Sequence, residues 1–425
     1  MSSTRSDFCF ALVDCNNFFV SCEQIFNPAL TNKPVIVLSS NDGCVVARSN
    51  EAKNLNIKMG QPYFEIKNIC EKNKVFIFSS NFALYGDISN RVMKTLQHFS
   101  LDVEVYSIDE AFLRLDKIAF ADPLQYAIQI RKAILKNIGI PVSIGIAPTK
   151  TLAKLAGNIA KKDNITGVCD LRDQTVREII LQHHPVDNIW GVGKKSTQYC
   201  HDINIRTAKQ LCDKPESYLR KHFGLGMVKT VMELKGISCL ALSETENSKT
   251  IIRSRSFGKS VTSIIELSEA LSFHCAHACE KARAQKLKAQ GVCVYFRTSL
   301  YDPRKPAYTA QYSQVFLQPS NDTCHITSIA KSILKKLYQP GYEYKKAGIV
   351  LLNLISDEFN QCDLFEENIS SDNKNLMSLL DQANQRFGAQ TLFLAAEGTE
   401  KNWVVRSARR SPRYTTCWDE LREVF

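Results

Sequence analysis

The residues of this sequence best placed to do chemistry are three carboxylates. Asp109 and Glu110 stand side by side in "VEVYSIDEAFLRLD" (103–116), a stretch otherwise made of strand-forming and apolar residues. Two adjacent charges in such a hairpin repel each other and lose hydration. A third acid, Asp14, closes the buried-strand pattern "FCFALVD" (8–14). The end of a central strand and the turn of a neighbouring hairpin can meet in an α+β sheet. Three acids gathered there need cations, and an all-oxygen donor set suits Mg²⁺, with Mn²⁺ as a substitute. Two such ions about 4 Å apart clamp the attacking and leaving oxygens of a phosphoryl displacement. Turn acids paired with Lys or Arg would be the purely structural alternative. Arg48 and Lys53 in "VVARSNEAK" and Lys161 in "GNIAKKDN" supply cations suited to a triphosphate.

The elements that must position these groups alternate over the first third of the chain. "FCFALVD", "KPVIVLS" (33–39) and "KVFIFSS" (74–80) read as strands. "NNFFVSCEQIF", "NEAKNLNI" and "YGDISNRVMKTLQHF" read as helices. After the acidic hairpin come the helix "PLQYAIQIRKAILKNI", the strand "PVSIGIA" and the helix "TKTLAKLAGNIAKK". This order predicts an α+β sheet of ferredoxin-like style with helices on one face. Residues 185–245 lose strand character, and "VDNIWGVGKK" places a Gly-x-Gly turn between short helices, a shape that offers backbone N–H groups to a DNA phosphate. Strands return from "KTIIRSRSFG" (249–258) to "KKAGIVLLNLI", and beyond Ser356 the chain turns polar and irregular, with "DEFNQCDLFEENISSDNKN" (357–375) resembling a linker.

Charge is unevenly spread along the 425 residues. The chain carries +11 overall, with +10 between residues 249 and 346 and −6 between 356 and 403. A basic segment followed by an acidic one points to a local polyanion-binding surface. No apolar run approaches the eighteen or so residues of a membrane span, and the N-terminus lacks the pattern of a secretory signal. The fifteen cysteines are scattered without a CxxC, as expected of reduced thiols in a cytoplasmic protein. "HCAHACE" holds His274, Cys275, His277 and Cys279, but its surroundings have the apolar period of an ordinary amphipathic helix.

Taken in order, these segments resemble the Y-family translesion DNA polymerases. "ALVDCNNFFVSCE", "ARSNEAK", "VYSIDEAF" and "GIAPTKTLAKLAGNIAK" resemble that family's motifs, and "VDNIWGVGKK" its helix–hairpin–helix. "SNDGCVVAR", "SSNFALYGDISNRVM", "SRSFG" and "SPRYTT" point within it to the branch of DNA polymerase V catalytic subunits. The resemblance implies a multidomain α+β fold. Its parts would be a ferredoxin-like palm (1–30 and 80–178), small fingers (31–79), a helix–hairpin–helix thumb (179–245), an α+β little finger that grips DNA (249–355), and a tail (356–425).

By the same resemblance Asp14, Asp109 and Glu110, with the Cys15 carbonyl, hold two Mg²⁺ ions. Phe18 and Phe19 meet the incoming dNTP together with Arg48, Lys53 and Lys161, and Phe19 is the steric gate against ribose. The family position is often tyrosine, Lys53 stands where some relatives carry arginine, and Asn50 replaces a nearby tyrosine. Gly191, Gly193, Lys194, Arg253 and Arg255 would contact primer-template DNA. Gln361, Leu364 and Phe365 of "QCDLF" resemble a sliding-clamp peptide. Implied partners are the clamp, a UmuD′-like dimer and RecA, in an SOS role in the bacterial cytoplasm near the nucleoid, away from membranes. The competing expectation is a DNA-binding scaffold without catalysis; a nucleotidyl cyclase would leave the hairpin and the basic region unexplained.

Overall fold

The computed structural model describes residues 9–115, 122–162, 166–242, 249–300, 304–358, 371–401, 403–404 and 407–421. The chain divides into two compact units. One comprises Met1–Ser39, Gly43–Thr245 and Arg409–Phe425; the other comprises Ser40–Asp42 and Glu246–Ala408. Among the described residues no helix is long and apolar enough to cross a membrane.

The first unit carries strands β1 (Phe10–Cys15), β2 (Val35–Leu38), β3 (Val45–Arg48), β4 (Phe76–Ser79), β5 (Val103–Val105), β6 (Glu110–Arg114), β7 (Val142–Ala147) and β8 (Val168–Asp170). The main sheet has the order β5-β6-β1-β7-β8, with β1 antiparallel to both β6 and β7. Together with the helices Phe82–Gln97 and Pro123–Ile138 this is a ferredoxin-like unit extended at one edge by β8.

The expected one-sided covering is corrected here: both faces are packed. Ala11, Val13 and Cys15 of β1 join one apolar cluster with those two helices. Phe10 and Leu12 join another, with Leu152, Ala153 and Ala156 of the helix Lys150–Ala160. A strand buried on both sides shows no alternation, and β1 is buried along its whole length. Gly145 of β7 allows the helix its close approach, because a Cβ there would collide with backbone atoms of Ala153 and Gly157. At the start of that helix Thr149 caps the Leu152 N–H at 3.3 Å, and the Lys150 ammonium meets the Glu104 carboxylate at 2.7 and 2.8 Å, both nearly buried.

The smaller sheet, β3-β2-β4, packs with the helices Asn50–Asn54 and Tyr63–Lys72 around its own core. Strand β3 was not expected; its residues "VVAR" are too few to show a period beside the helix that follows. Residues 171–242 contain helices and no strand among the described residues. Five run Gln174–His183, Lys194–Asp202, Ala208–Cys212, Glu216–Phe223 and Leu225–Leu234. Glu233 binds them to the helix Lys150–Ala160: its carboxylate accepts from Thr151 N at 3.0 Å and its carbonyl from Thr149 Oγ1 at 2.8 Å.

The second unit contains β9 (Ile251–Val261), β10 (Leu287–Thr298), β11 (Thr309–Ser320), β12 (Tyr344–Leu352) and the short β13 (Ile355–Ser356). Its sheet order is β11-β10-β12-β9, with β13 on β10. Helices Ile264–Ala284 and Thr323–Leu337 contribute to its apolar core. His274, Cys275 and Cys279 are buried along the first of these helices.

Most of the stretch expected as a linker, 357–375, lies outside the described residues, but the chain beyond it is not irregular throughout. Ser371–Phe387 is a helix, and its Asp381 accepts two bonds from the Arg283 guanidinium at 2.6 and 2.7 Å. Trp403 is buried in the core of the second unit. Arg409–Pro412 belongs to the first unit, where Ser79 N donates to Arg409 O at 3.0 Å and Arg409 N donates to Ser79 Oγ at 3.1 Å.

Candidate active site

Strand register brings the acids together. Asp14 of β1 lies directly opposite Glu110 of β6 and, on its other side, Ser143 of β7. Opposed residues of neighbouring strands share a face, so the two carboxylates meet. Cys15 N donates to Asp109 O at 2.9 Å, which locks the end of β1 to the hairpin turn. The turn is fixed by Ser107. Its hydroxyl donates to Asp109 Oδ1 at 2.6 Å and accepts from the N–H groups of Asp109 and Glu110 at 3.3 and 3.0 Å.

Two lysines of the covering helix and its end neutralise this cluster. Lys161 Nζ lies 2.6 Å from Asp14 Oδ2, and Lys154 Nζ lies 2.8 Å from Glu110 Oε2 and 4.4 Å from the centre of the Tyr106 ring. Burial, reinforced by the interaction with Glu110, raises the Asp14 carboxyl to about 7 against the pull of Lys161. Burial also pushes Glu110 upward, but its interaction with the Asp14 side chain and the Lys154 ammonium outweigh this and hold Glu110 below its ordinary value. Two acids opposed in a desolvated site cannot both ionise cheaply without added positive charge.

Among the described residues no three metal-ligating side chains are already drawn around one point. The donor set is nonetheless carboxylate oxygen, and two ammonium groups now supply the positive charge that it needs. That chemistry fits a hard divalent cation.

A cleft of about 370 Å³ opens beside the acids. Asp14, Asp109, Phe18, Phe19, Arg48, Lys53 and Lys161 all line it, so the expected nucleotide residues converge, although Glu110 stands behind rather than on its wall. Helix Phe18–Phe26 begins here. Asn17 precedes it in the left-handed region (φ +47°), and no side chain caps its first turn. Its first intrahelical bond is donated by Ser21 N, which leaves the leading N–H groups available to an anion.

Phe19 stacks on Tyr85 with ring centres 4.5 Å apart and meets Phe82 edge-on at 6.1 Å. Lys53 Nζ donates to Asn17 Oδ1 at 2.8 Å and Asn50 Oδ1 at 2.9 Å. Burial, with Arg48 and Lys161 nearby, lowers its pKa. Arg48 donates through Nη1 to the Ile57 carbonyl, while its buried Nε has no partner. Sequence reasoning missed Lys154 and two residues of the cleft wall, Asn17 and Arg131. Lys154 lies one helical turn from Lys150 and two from Lys161, a face that the helix pattern could have shown.

The remaining expected contacts lie elsewhere. Gly191 (φ +92°), Gly193 and Lys194 are exposed at the turn leading into helix Lys194–Asp202. On β9 the period-two alternation puts Arg253 and Arg255 on the side of Ile251 and Phe257. Arg255 is exposed, whereas Arg253 is partly buried and its enclosed Nε has no partner. Gln361, Leu364 and Phe365 lie outside the described residues. All the described cysteines are free thiols.

This fold is that of the Y-family DNA polymerases. A solved Y-family DNA polymerase chimera of Dbh and Dpo4 superposes with a TM-score of 0.68 at 22% identity, covering 82% of this chain and 99% of the other. Residues 13–158 match the impB/mucB/samB family, 248–364 that family's C-terminal domain, and 374–424 a domain of unknown function. The chain is 39% identical to Protein UmuC of Salmonella typhimurium over 98% of its own length and all of the relative's. It is 38% identical to Protein ImpB of Salmonella typhimurium, with 97% and 98% covered. DNA polymerase IV of Bacillus anthracis is 26% identical, with 89% and 91% covered. The chain belongs to the impB/mucB/samB family, among whose relatives it stands with UmuC.

Proposed function

We propose that this chain is a translesion DNA polymerase of SOS mutagenesis that joins a dNTP to a primer 3′-hydroxyl at the Asp14–Asp109–Glu110 cluster. The observation that carries the reading is the register of β1 on β6, which sets Asp14 against Glu110 beside a cleft walled by two phenylalanines and four basic side chains. Family membership implies use of a divalent metal. Asp14, Asp109, Glu110 and the Cys15 carbonyl would hold Mg²⁺, which supplies Lewis-acid activation of the hydroxyl and charge neutralisation at the phosphates.

The chain's own residues then divide the work. Lys161, Lys53 and Arg48 receive the triphosphate charge, and the uncapped N–H groups of Phe18 and Phe19 add hydrogen bonds. Phe19 lies over the sugar and excludes a 2′-hydroxyl by overlap, a barrier that needs the ring and not a phenol. Residues 1–30 and 80–178 act as palm, 31–79 as fingers, 179–245 as thumb and 249–355 as little finger. Gly191, Gly193, Lys194, Arg253 and Arg255 contact the DNA backbone, and "QCDLF" engages a sliding clamp. A UmuD′-like dimer and RecA are further partners by kinship, in the bacterial cytoplasm.

Primer extension on a damaged template tests the reading. Asp109→Ala and Glu110→Ala are expected to abolish extension while primer-template binding by gel shift persists. Extension retained by both variants refutes the assignment, and binding without extension in the parent favours a scaffold.

A further inference from the structure

The C-terminal segment that matches a domain of unknown function reaches the back of the nucleotide site. Asn81, which caps helix Phe82–Gln97, donates through Nδ2 to Ser411 O and Ser411 Oγ at 3.0 Å each and to Pro412 O at 3.1 Å. Ser411 Oγ donates to Glu23 Oε1 at 2.9 Å, and the Tyr85 hydroxyl donates to the same oxygen at 2.7 Å. The Tyr85 ring is the platform on which Phe19 stacks, with an interplanar angle of 14°.

A second hold lies at the other end of the helix that bears Phe19: Tyr414 stacks on Phe26 at 4.6 Å and 11°. Glu23 is 2% exposed and Tyr85 fully buried, so an unpartnered carboxylate there would be costly. Two hydroxyls satisfy it, and one belongs to a residue 388 positions away.

From these contacts we infer that Ser411, acting through Glu23 and Tyr85, is a positioning residue for the Phe19 ring, so that the C-terminal segment sharpens the choice between deoxyribose and ribose. The inference deepens the proposed function and rests on Phe19 being the gate. The segment does not touch the substrate. It sets the plane of the surface against which the gate leans, because Tyr85 cannot tilt while its hydroxyl is held by a carboxylate that Ser411 also holds. A gate with a softer backing yields to a 2′-hydroxyl more readily than to a hydrogen, so the loss appears in selectivity.

The test measures kcat/KM for dNTP and for rNTP with the full-length chain and takes their ratio. Phe19→Ala is measured first. A collapsed ratio supports the gate, and an unchanged one removes the gate and this inference together. Given a collapse, Ser411→Ala and Tyr85→Phe are each expected to lower the ratio about fivefold, the worth of one hydrogen bond, with dNTP incorporation near the parent's. Ser411→Thr is expected to restore the ratio, and Ser411→Ala added to Phe19→Ala to change nothing further. A parent-like ratio in both single variants overturns the inference while leaving the gate standing. Equal losses for both sugars overturn it too, since they describe structural support alone.

Discussion

Lys161 Nζ stands 2.6 Å from Asp14 Oδ2, so the residue at the end of one helix neutralises the acid at the end of the central strand. The same ammonium lines the cleft beside Lys53. Lys161→Ala is expected to raise the KM for dNTP about tenfold, the scale of one charge-assisted bond, and Lys161→Arg to recover part of it. Steady-state incorporation checks this; an unchanged KM in the alanine variant takes Lys161 out of triphosphate binding.

Gly145 gives a test of how the site is supported. A methyl group there has only backbone to displace, so Gly145→Ala is expected to cost about 2 kcal/mol or more. The helix carrying Lys154 would be pushed from β7, lowering both the thermal unfolding midpoint and extension. A parent-like midpoint would show that the strand and helix separate without penalty.

Acid sensitivity should arise in the second unit. Burial, with Arg255, His277 and Arg253 adding to it, lowers the His274 pKa from 6.5 to about 3. Between those values the unfolded chain binds a proton that the folded one refuses, so stability falls as pH falls. The contribution is complete above 6.5 and is lost progressively toward 3. His274→Leu is expected to flatten this acid dependence of the unfolding midpoint; an unaltered slope would place the sensitivity elsewhere.

DNA binding should behave as a phosphate interaction. Affinity is expected to fall about tenfold or more between roughly 50 and 200 mM salt, with little dependence on sequence. Lys194→Ala should weaken binding to every sequence alike and reduce the salt slope by about one. Fluorescence anisotropy at several salt concentrations decides this, and an unchanged slope would remove Lys194 from the interface.

The acids were legible in the sequence because charge in an apolar hairpin is locally anomalous, and Asp14 stood out at the end of an unbroken apolar strand. The same unbroken run already carried the sign of a strand covered on both faces, since a solvent side would have shown as alternation; the expectation of helices on one face overlooked it. Tyr85 and Glu23 looked like ordinary positions on amphipathic helices; their link appears only when the chain folds Ser411 against them. Trp403 was hidden for the same reason, as it packs on Phe257 and Phe273, far away in sequence. Long-range pairing of this kind leaves no period to read.

The free thiols also bear on how such an enzyme survives. Cys15 adjoins Asp14 at the acidic cluster, and burial together with the charges of Asp14 and Asp109 pushes its thiol far upward; Cys22, in the helix that carries Phe19, is raised by burial as well. Electrophiles and oxidants attack thiolate, so these two buried sulfurs should react slowly with the agents that scar a genome. Alkylation mapping should tag the exposed Cys324 well before either of them, leaving the polymerase able to work amid the chemistry that makes it necessary.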